Sequence, residues 1–142
     1  MKPRQCGECG KGKIRKVKKA GRTARYKTMQ RIEIPKSFEI PTCDHCGTEW
    51  LDQKTASALN KVLEASYRLE LSHRVRESID KIAQRRPQRR IEELLGLSHG
   101  YLSKLKSGDR DPSPELVSQL ALIAREPEKR IKELEEYWGL AG

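Results

Sequence analysis

The 142-residue sequence has no apolar run long enough to span a bilayer, and its first residues do not resemble a signal peptide. These absences predict a soluble, cytoplasmic protein with no membrane partner. The sequence also lacks paired carboxylates, a nucleophile beside a base and a glycine-rich loop that could hold phosphates. We therefore expect that the protein is not an enzyme.

Apolar residues are scarce as well: they make up 35% of the chain, and charged residues make up another 35%. A single large core is unfavourable at this composition, so two small domains are predicted, at least one of them helped by a metal. We place the boundary between residues 1–68 and 69–142. The expected class is α+β: a small N-terminal zinc-binding antiparallel β domain followed by an all-α helix-turn-helix domain.

Positive charge is concentrated at the start of the chain. Residues 1–50 have 13 Lys and Arg against 5 Asp and Glu, whereas residues 51–142 have 17 against 15. Such an imbalance usually indicates a polyanionic partner, most simply nucleic acid, although a role in solubility alone stays open.

All four cysteines fall in two matching motifs, Cys6-Gly-Glu-Cys9-Gly and Cys43-Asp-His-Cys46-Gly. Two intervening residues let one short turn aim both sulfurs at one ion, and the following glycine lets the chain fold back. The spacing predicts one structural zinc ion held by Cys6, Cys9, Cys43 and Cys46. A redox dithiol is the less favoured alternative, because nothing nearby indicates the fold that it needs.

Between the two motifs, alternating polar and apolar residues predict strands at residues 13–19, 25–29, 31–34 and 37–40. A small antiparallel sheet would bring the distant cysteine pairs together. Asp52 is expected to cap a helix that begins at Gln53, and an apolar stripe continues to Ile82. We favour two helices here, with a break near Leu69–Ser72 that would act as a hinge.

Two short helices around a tight turn are predicted in residues 88–108. Gly96 ends the first by allowing a left-handed backbone, and Ser98 is expected to cap the second. Leu102 and Leu105 share the buried face of the second helix, and the opposite, polar face suits entry into a DNA major groove. That face offers these side chains: His99, Tyr101, Ser103, Lys104 and Lys106.

This stretch resembles the helix-turn-helix of the Xre/Cro/repressor family, through Gly96-Leu97-Ser98 at the turn and the leucines of the second helix. Two positions depart from the family pattern. Glu92 stands where a small residue is preferred, and Gly100 leaves one base-facing position without a side chain. An ordinary αα-hairpin is the alternative. A locally basic contact surface would come from Arg85, Arg86, Arg89, Arg90, Lys104 and Lys106.

Further helices are expected from Ser113-Pro114 and from about Pro127 to Gly139. Three apolar residues are concentrated at the end of the last one: Tyr137, Trp138 and Leu140. They either complete the core or form a two-fold dimer contact, because helix-turn-helix proteins commonly read paired half-sites.

Together, the four-cysteine module, the helical connector and the helix-turn-helix resemble the MqsA antitoxin family. The resemblance implies a homodimeric repressor that binds a double-stranded DNA operator, with structural zinc in an N-terminal domain that neutralises an RNase toxin. It also implies a DNA-facing set: Gln88, Ser98, His99, Tyr101, Ser103 and Lys104, to which the charge pattern adds Arg89 and Lys106. The alternative is a stand-alone regulator without a toxin, whose basic N-terminal domain adds nucleic-acid affinity.

Overall fold

The structure, a computed structural model, describes residues 3–140. The chain divides into two compact units, Met1–Tyr67 and Arg68–Gly142. Four antiparallel strands in the first unit and helices in the second confirm the predicted α+β class. No helix in the described range has both the length and the apolar character needed to cross a membrane.

The strands form two antiparallel pairs. β1 (Ile14–Lys18) pairs with β4 (Glu39–Cys43), and β2 (Thr23–Tyr26) pairs with β3 (Met29–Glu33). The inner hairpin therefore lies within the sequence that joins the outer strands. In the outer pair Ile14 is opposite Cys43, which sets the second cysteine motif beside the start of β1.

The inner hairpin differs from its prediction. Residues 25–29 were expected as one strand, but the chain turns after Tyr26, and β3 begins at Met29. Lys27 has a φ of 50°, the left-handed conformation that a two-residue hairpin turn requires. The Lys27 ammonium lies 3.0 Å from Glu64 and 5.3 Å from the ring centroids of both Tyr26 and Tyr67, so the turn is anchored to the helix that follows the sheets.

A buried arginine joins the two strand pairs. Arg22 is only 9% exposed, and its guanidinium donates to the carbonyl oxygens of Val17 and Phe38 at 3.2 Å each. Its Nε also lies 3.3 Å from the Glu49 carboxylate. A charge this buried is tolerated because it is paired and hydrogen-bonded.

Helix α1 (Gln53–Ala83) is continuous, so the predicted break near Leu69–Ser72 is wrong. The Asp52 carboxylate accepts from the Thr55 N–H at 2.7 Å, as expected of the capping residue. No Pro or Gly lies within α1, and the apparent irregularity in its stripe arises because Leu69 is exposed while Leu71 and Ser72 are buried. No helix-breaking residue therefore interrupts α1 near Leu69–Ser72.

The second unit places four short helices after α1: α2 (Gln88–Leu95), α3 (Tyr101–Ser107), α4 (Pro114–Arg125) and α5 (Pro127–Tyr137). Helix α2 packs against both α3 and α5, and α4 packs against α5. Apolar side chains from every helix are buried in this unit, among them Val75, Ile79, Ile91, Leu94, Leu102, Leu105, Leu120 and Ile131. The core therefore fixes α3 by one face and leaves its other face exposed.

Candidate metal centre and nucleic-acid interface

The two cysteine motifs adopt the same kind of turn. In the first, the Gly10 N–H donates to the Cys6 carbonyl at 3.0 Å, and in the second the Gly47 N–H donates to the Cys43 carbonyl at 3.1 Å. Both glycines are left-handed, with φ of 66° and 75°. Glycine adopts this conformation without a steric cost, so each motif presents both of its sulfurs on one side of its turn.

The four sulfurs of Cys6, Cys9, Cys43 and Cys46 lie within 4.8 Å of one another. The Sγ–Sγ distance is 3.8 Å between Cys6 and Cys46 and 3.6 Å between Cys9 and Cys43. A tetrahedral zinc ion with Zn–S bonds of about 2.3 Å would separate its ligands by about 3.8 Å. The thiols are free rather than disulfide-bonded, and their spacing fits one tetrahedral metal ion.

Backbone N–H groups point at the sulfurs. The Gly12 N–H lies 3.4 Å from the Cys9 sulfur, and the N–H groups of His45 and Cys46 lie 3.4 and 3.5 Å from the Cys43 sulfur. Such donors stabilise thiolates over thiols. The Gly12 N–H is accordingly the main cause of the lowered pKa of Cys9.

The thiols of Cys43 and Cys46 nevertheless do not ionise alike without a cation. The hydroxyl and backbone of Thr48 lower the pKa of Cys46 to about 6. The Cys46 N–H opposes a rise at Cys43, but burial and the adjacent thiols of Cys46 and Cys9 raise the pKa of Cys43 to about 11. A divalent cation at the centre would remove this conflict, because it attracts all four thiolates.

Gly12 is essential to the close approach of the two motifs. A Cβ at this position would lie 2.3 Å from the Cys43 sulfur and 2.7 Å from the His45 Cβ. We expect Gly12→Ala to weaken Zn²⁺ binding by about 10- to 100-fold, the range typical of changes next to metal ligands. Competition with a chromophoric chelator measures this affinity. Gly7→Ala is the matched control, because its Cβ would make only an ordinary 3.5 Å contact with Trp50; equal affinities for the two variants would contradict the prediction.

The turn of the second unit begins at the end of α2. Gly96 is left-handed with φ of 68°, and the Leu97 N–H donates to the Glu92 carbonyl at 2.8 Å. This is the helix end predicted from the sequence. Helix α3 then starts after Gly100, which is also left-handed with φ of 85°.

Ser98 does not cap α3, so this prediction is wrong. The Ser98 carbonyl accepts from the Tyr101 N–H, but its side chain makes no capping bond. The Glu92 carboxylate instead accepts from the N–H groups of Gly100 at 3.1 Å and Leu102 at 2.9 Å. A carboxylate is a stronger acceptor for these groups than a hydroxyl, and it also complements the positive end of the helix.

The predicted DNA-facing residues lie around one exposed surface of the second unit. Ser98, His99, Ser103, Lys104 and Lys106 are exposed, and Tyr101 is half-buried. At the start of α2, Arg89 is exposed and Gln88 is half-buried; the Gln88 side-chain oxygen accepts from the Ser103 hydroxyl at 3.2 Å. The α2 start and the outer face of α3 are therefore adjacent.

Several of these side chains have intramolecular partners that the sequence did not indicate. Lys106 lies 2.8 Å from the Asp80 carboxylate, and the Arg110 guanidinium lies 5.8 Å from the Tyr101 ring centroid. Within the described residues Lys104 has no acidic partner. Lys104 is thus the cation of α3 that is most available to a ligand. The departure of Glu92 from the family pattern was the only sequence signal of a special role at that position.

The predicted dimer residues lie at the end of α5. Tyr137 is 76% exposed, Trp138 57% and Leu140 46%. The Trp138 indole donates to the Leu94 carbonyl at 3.0 Å, and the Tyr137 ring packs edge-on against it with centroids 4.9 Å apart. The indole is thus fixed to the end of α2, while most of the apolar surface stays exposed.

Comparison with known proteins agrees with the geometry of the second unit. Residues 81–124 match the helix-turn-helix family model, a segment that extends from the end of α1 to the last turn of α4. A search of characterised proteins found no match to the chain. Residues 81–124 therefore form a helix-turn-helix domain, the DNA-binding fold of transcription regulators, preceded by a four-cysteine cluster that could hold a metal ion.

Proposed function

We propose that this chain is a sequence-specific, homodimeric transcriptional repressor of the antitoxin type and not an enzyme. The observation that carries the proposal is the helix-turn-helix match at residues 81–124, together with the polar, basic outer face of α3. A helix with one buried and one polar face suits the major groove.

The start of α2 supports a phosphate contact beside α3. This helix has no side-chain cap and no acidic residue in its first turn, so the N–H groups of Gln88 and Arg89 have no side-chain acceptor. Arg85, Arg86 and Arg89 are exposed around it. Free N–H groups and cations at a helix start favour a DNA phosphate, which would set the register of α3 in the groove.

The proposed cofactor is one structural zinc ion. Cys6, Cys9, Cys43 and Cys46 would hold it, and four thiolates complete a tetrahedral shell without an open position for substrate or water. The ion would supply a cross-link between the start of the chain and the end of β4. That cross-link stabilises a unit whose own core is small.

The antitoxin role rests on the resemblance to the MqsA family, in which the zinc domain binds the toxin. One observation favours the alternative of a stand-alone regulator with a basic domain that adds nucleic-acid affinity. In residues 3–50 three acidic side chains pair with Arg15, Lys18 and Arg22. Seven other cations of this range have no acidic partner among the described residues: Lys11, Lys13, Lys16, Lys19, Arg25, Arg31 and Lys36.

One experiment separates these possibilities. The tagged chain is purified from its native cells, and both bound DNA and bound proteins are identified, with Cys43→Ser and Lys104→Ala in parallel. A repressor enriches a defined DNA segment, and Lys104→Ala loses it. An antitoxin also retains a small stoichiometric protein, which Cys43→Ser loses and Lys104→Ala keeps. Recovery of DNA without that protein would leave the stand-alone regulator. Recovery of no DNA segment and no protein would refute both proposals.

Dimerisation through Tyr137, Trp138 and Leu140 has a direct test. We expect Tyr137→Ser to weaken self-association about 30-fold, since an aromatic anchor at an interface contributes about 2 kcal/mol. Tyr137 is the most exposed of the three, so its replacement should spare the fold. Sedimentation equilibrium measures the change. Leu69→Ser, at a residue 72% exposed on α1, is the control; equal effects of both variants, or none, would remove this interface.

A further inference from the structure

A buried carboxylate lies at the corner of the helix-turn-helix. Glu92 is 3% exposed, and it is the single buried charged residue within the matched residues 81–124. Burial of a carboxylate is costly unless it is well hydrogen-bonded. Its position next to a surface proposed to bind polyanionic DNA is also unfavourable by charge alone. We therefore expect Glu92 to have a role that compensates for both its burial and its negative charge.

The contacts of Glu92 define that role. Its Oε1 accepts from the Gly100 N–H at 3.1 Å and its Oε2 from the Leu102 N–H at 2.9 Å. The exposed His99 imidazole lies beside this carboxylate, with Nδ1 3.7 Å from Oε1. One carboxylate of α2 thus holds the backbone on both sides of Tyr101, the first residue of α3.

We propose that Glu92 is a positioning residue that sets the pose of α3 and thereby the discrimination between operator and other DNA. The inference rests on the proposed DNA binding. Because both oxygens of Glu92 are directed at α3, the residue is not itself a DNA contact.

The short length of α3 explains why such a restraint is needed. The helix has seven residues, and the left-handed Gly100 before it provides no side-chain cap. Leu102 and Leu105 fix the depth of the buried face, but apolar contacts alone allow a small rotation or slide. Base readout requires side chains placed to within about 0.5 Å. Two directed bonds at the start of α3 restrict the movement of Tyr101 and Lys104.

Glu93 offers a matched control on the same helix. It is exposed, it lies 3.2 Å from Arg90 and 3.9 Å from Arg89, and it makes no bond to α3. Glu92→Gln and Glu93→Gln each remove one formal negative charge near the proposed DNA surface. Charge alone therefore predicts that both variants bind all DNA somewhat more tightly. Only the positioning role predicts that the ratio of specific to non-specific affinity falls in Glu92→Gln and stays unchanged in Glu93→Gln.

In Glu92→Gln the amide oxygen can accept one N–H, but the amide nitrogen then meets the other donor. We expect the ratio of specific to non-specific affinity to fall about tenfold, which corresponds to the loss of one charge-assisted hydrogen bond. Glu93→Gln should keep the ratio. Both affinities are measured at one salt concentration. Glu92→Asp keeps the charge but shortens the side chain, so it should also lower the ratio. It is the test variant if Glu92→Gln does not fold.

Amide hydrogen exchange without DNA gives a second readout. Glu92→Gln should lose protection at Gly100 and Leu102, whereas Glu93→Gln should not. If Glu92→Gln is folded and behaves like Glu93→Gln in both measurements, the positioning role is refuted while DNA binding stands. If the unmodified chain has no preference for any duplex, the proposed function fails. The exchange measurement alone then shows whether Glu92 holds the start of α3.

Discussion

Replacement of Cys43 by Ser, or removal of the metal by a chelator, is expected to unfold the β-sheet unit and to leave the helix-turn-helix domain folded. Cys43 is 2% exposed, and its sulfur lies 3.6 Å from that of Cys9. Loss of this ligand would leave the first cysteine motif without its tie to β4.

The asymmetry between the two units follows from their cores. The cysteine cluster has only a small core of its own, Cys6, Ile14 and Cys43, with Trp50 packed against it. Structural zinc contributes on the order of 10–16 kcal/mol of apparent folding free energy in small fingers, as much as the whole stability of a typical domain. The second unit has no cysteine and buries apolar side chains from all of its helices, so it has no such dependence.

Two-dimensional amide NMR measures the outcome residue by residue. Signals from residues 5–50 should collapse to random-coil positions, while those of α2 to α5 persist. His45→Ala is the matched control: His45 lies between two cysteines but outside the sulfur cluster, so this variant should keep the metal and the spectrum. Loss of both units together on chelation would refute their independence, and no loss at all would refute the structural metal.

Lys104→Ala and Tyr101→Ala are expected to weaken binding to a specific duplex by about 10- to 100-fold, since a good base contact contributes about 1–3 kcal/mol. Lys104 is exposed on the outer face of α3 and has no acidic partner in the described chain. Lys106 lies two residues after Lys104, and its ammonium is 2.8 Å from the Asp80 carboxylate. We therefore expect a smaller loss from Lys106→Ala than from Lys104→Ala.

Fluorescence anisotropy with a labelled duplex gives these affinities, and thermal melting shows whether each variant is folded. Lys132→Ala on α5 removes the same charge from an exposed position outside the proposed surface. It should bind within about twofold of the unmodified chain, in line with screening of distant surface charges. If Lys104→Ala and Lys132→Ala bind equally, the outer face of α3 is not the contact surface.

The parts of the fold that local sequence determines were predictable. Each Cys-x-x-Cys-Gly motif forms its own turn, so the sulfur cluster required only that two such turns meet. Gly96 allowed the end of α2 to be placed in the same way, through the left-handed backbone that it permits.

The incorrect predictions concern interactions between residues distant in sequence. Ser98 was a plausible local cap, but Glu92 on the preceding helix makes the stronger bonds. The exposed Leu69 interrupted the apolar stripe of α1 without interrupting the helix. Arg22 joins the strand pairs through hydrogen bonds to carbonyls 5 and 16 residues away. No local sequence pattern predicts these bonds.

The most direct test of the proposed repressor is a selection of duplexes from a random pool by the purified, metal-loaded chain. A dimer that reads DNA through α3 should enrich one inverted repeat whose half-sites are about one helical turn apart, or a multiple of it. Lys104→Ala should fail to enrich the same sequence under the same conditions. Retention of DNA without any common sequence, by both proteins alike, would contradict sequence-specific recognition and leave only attraction between a basic protein and phosphates.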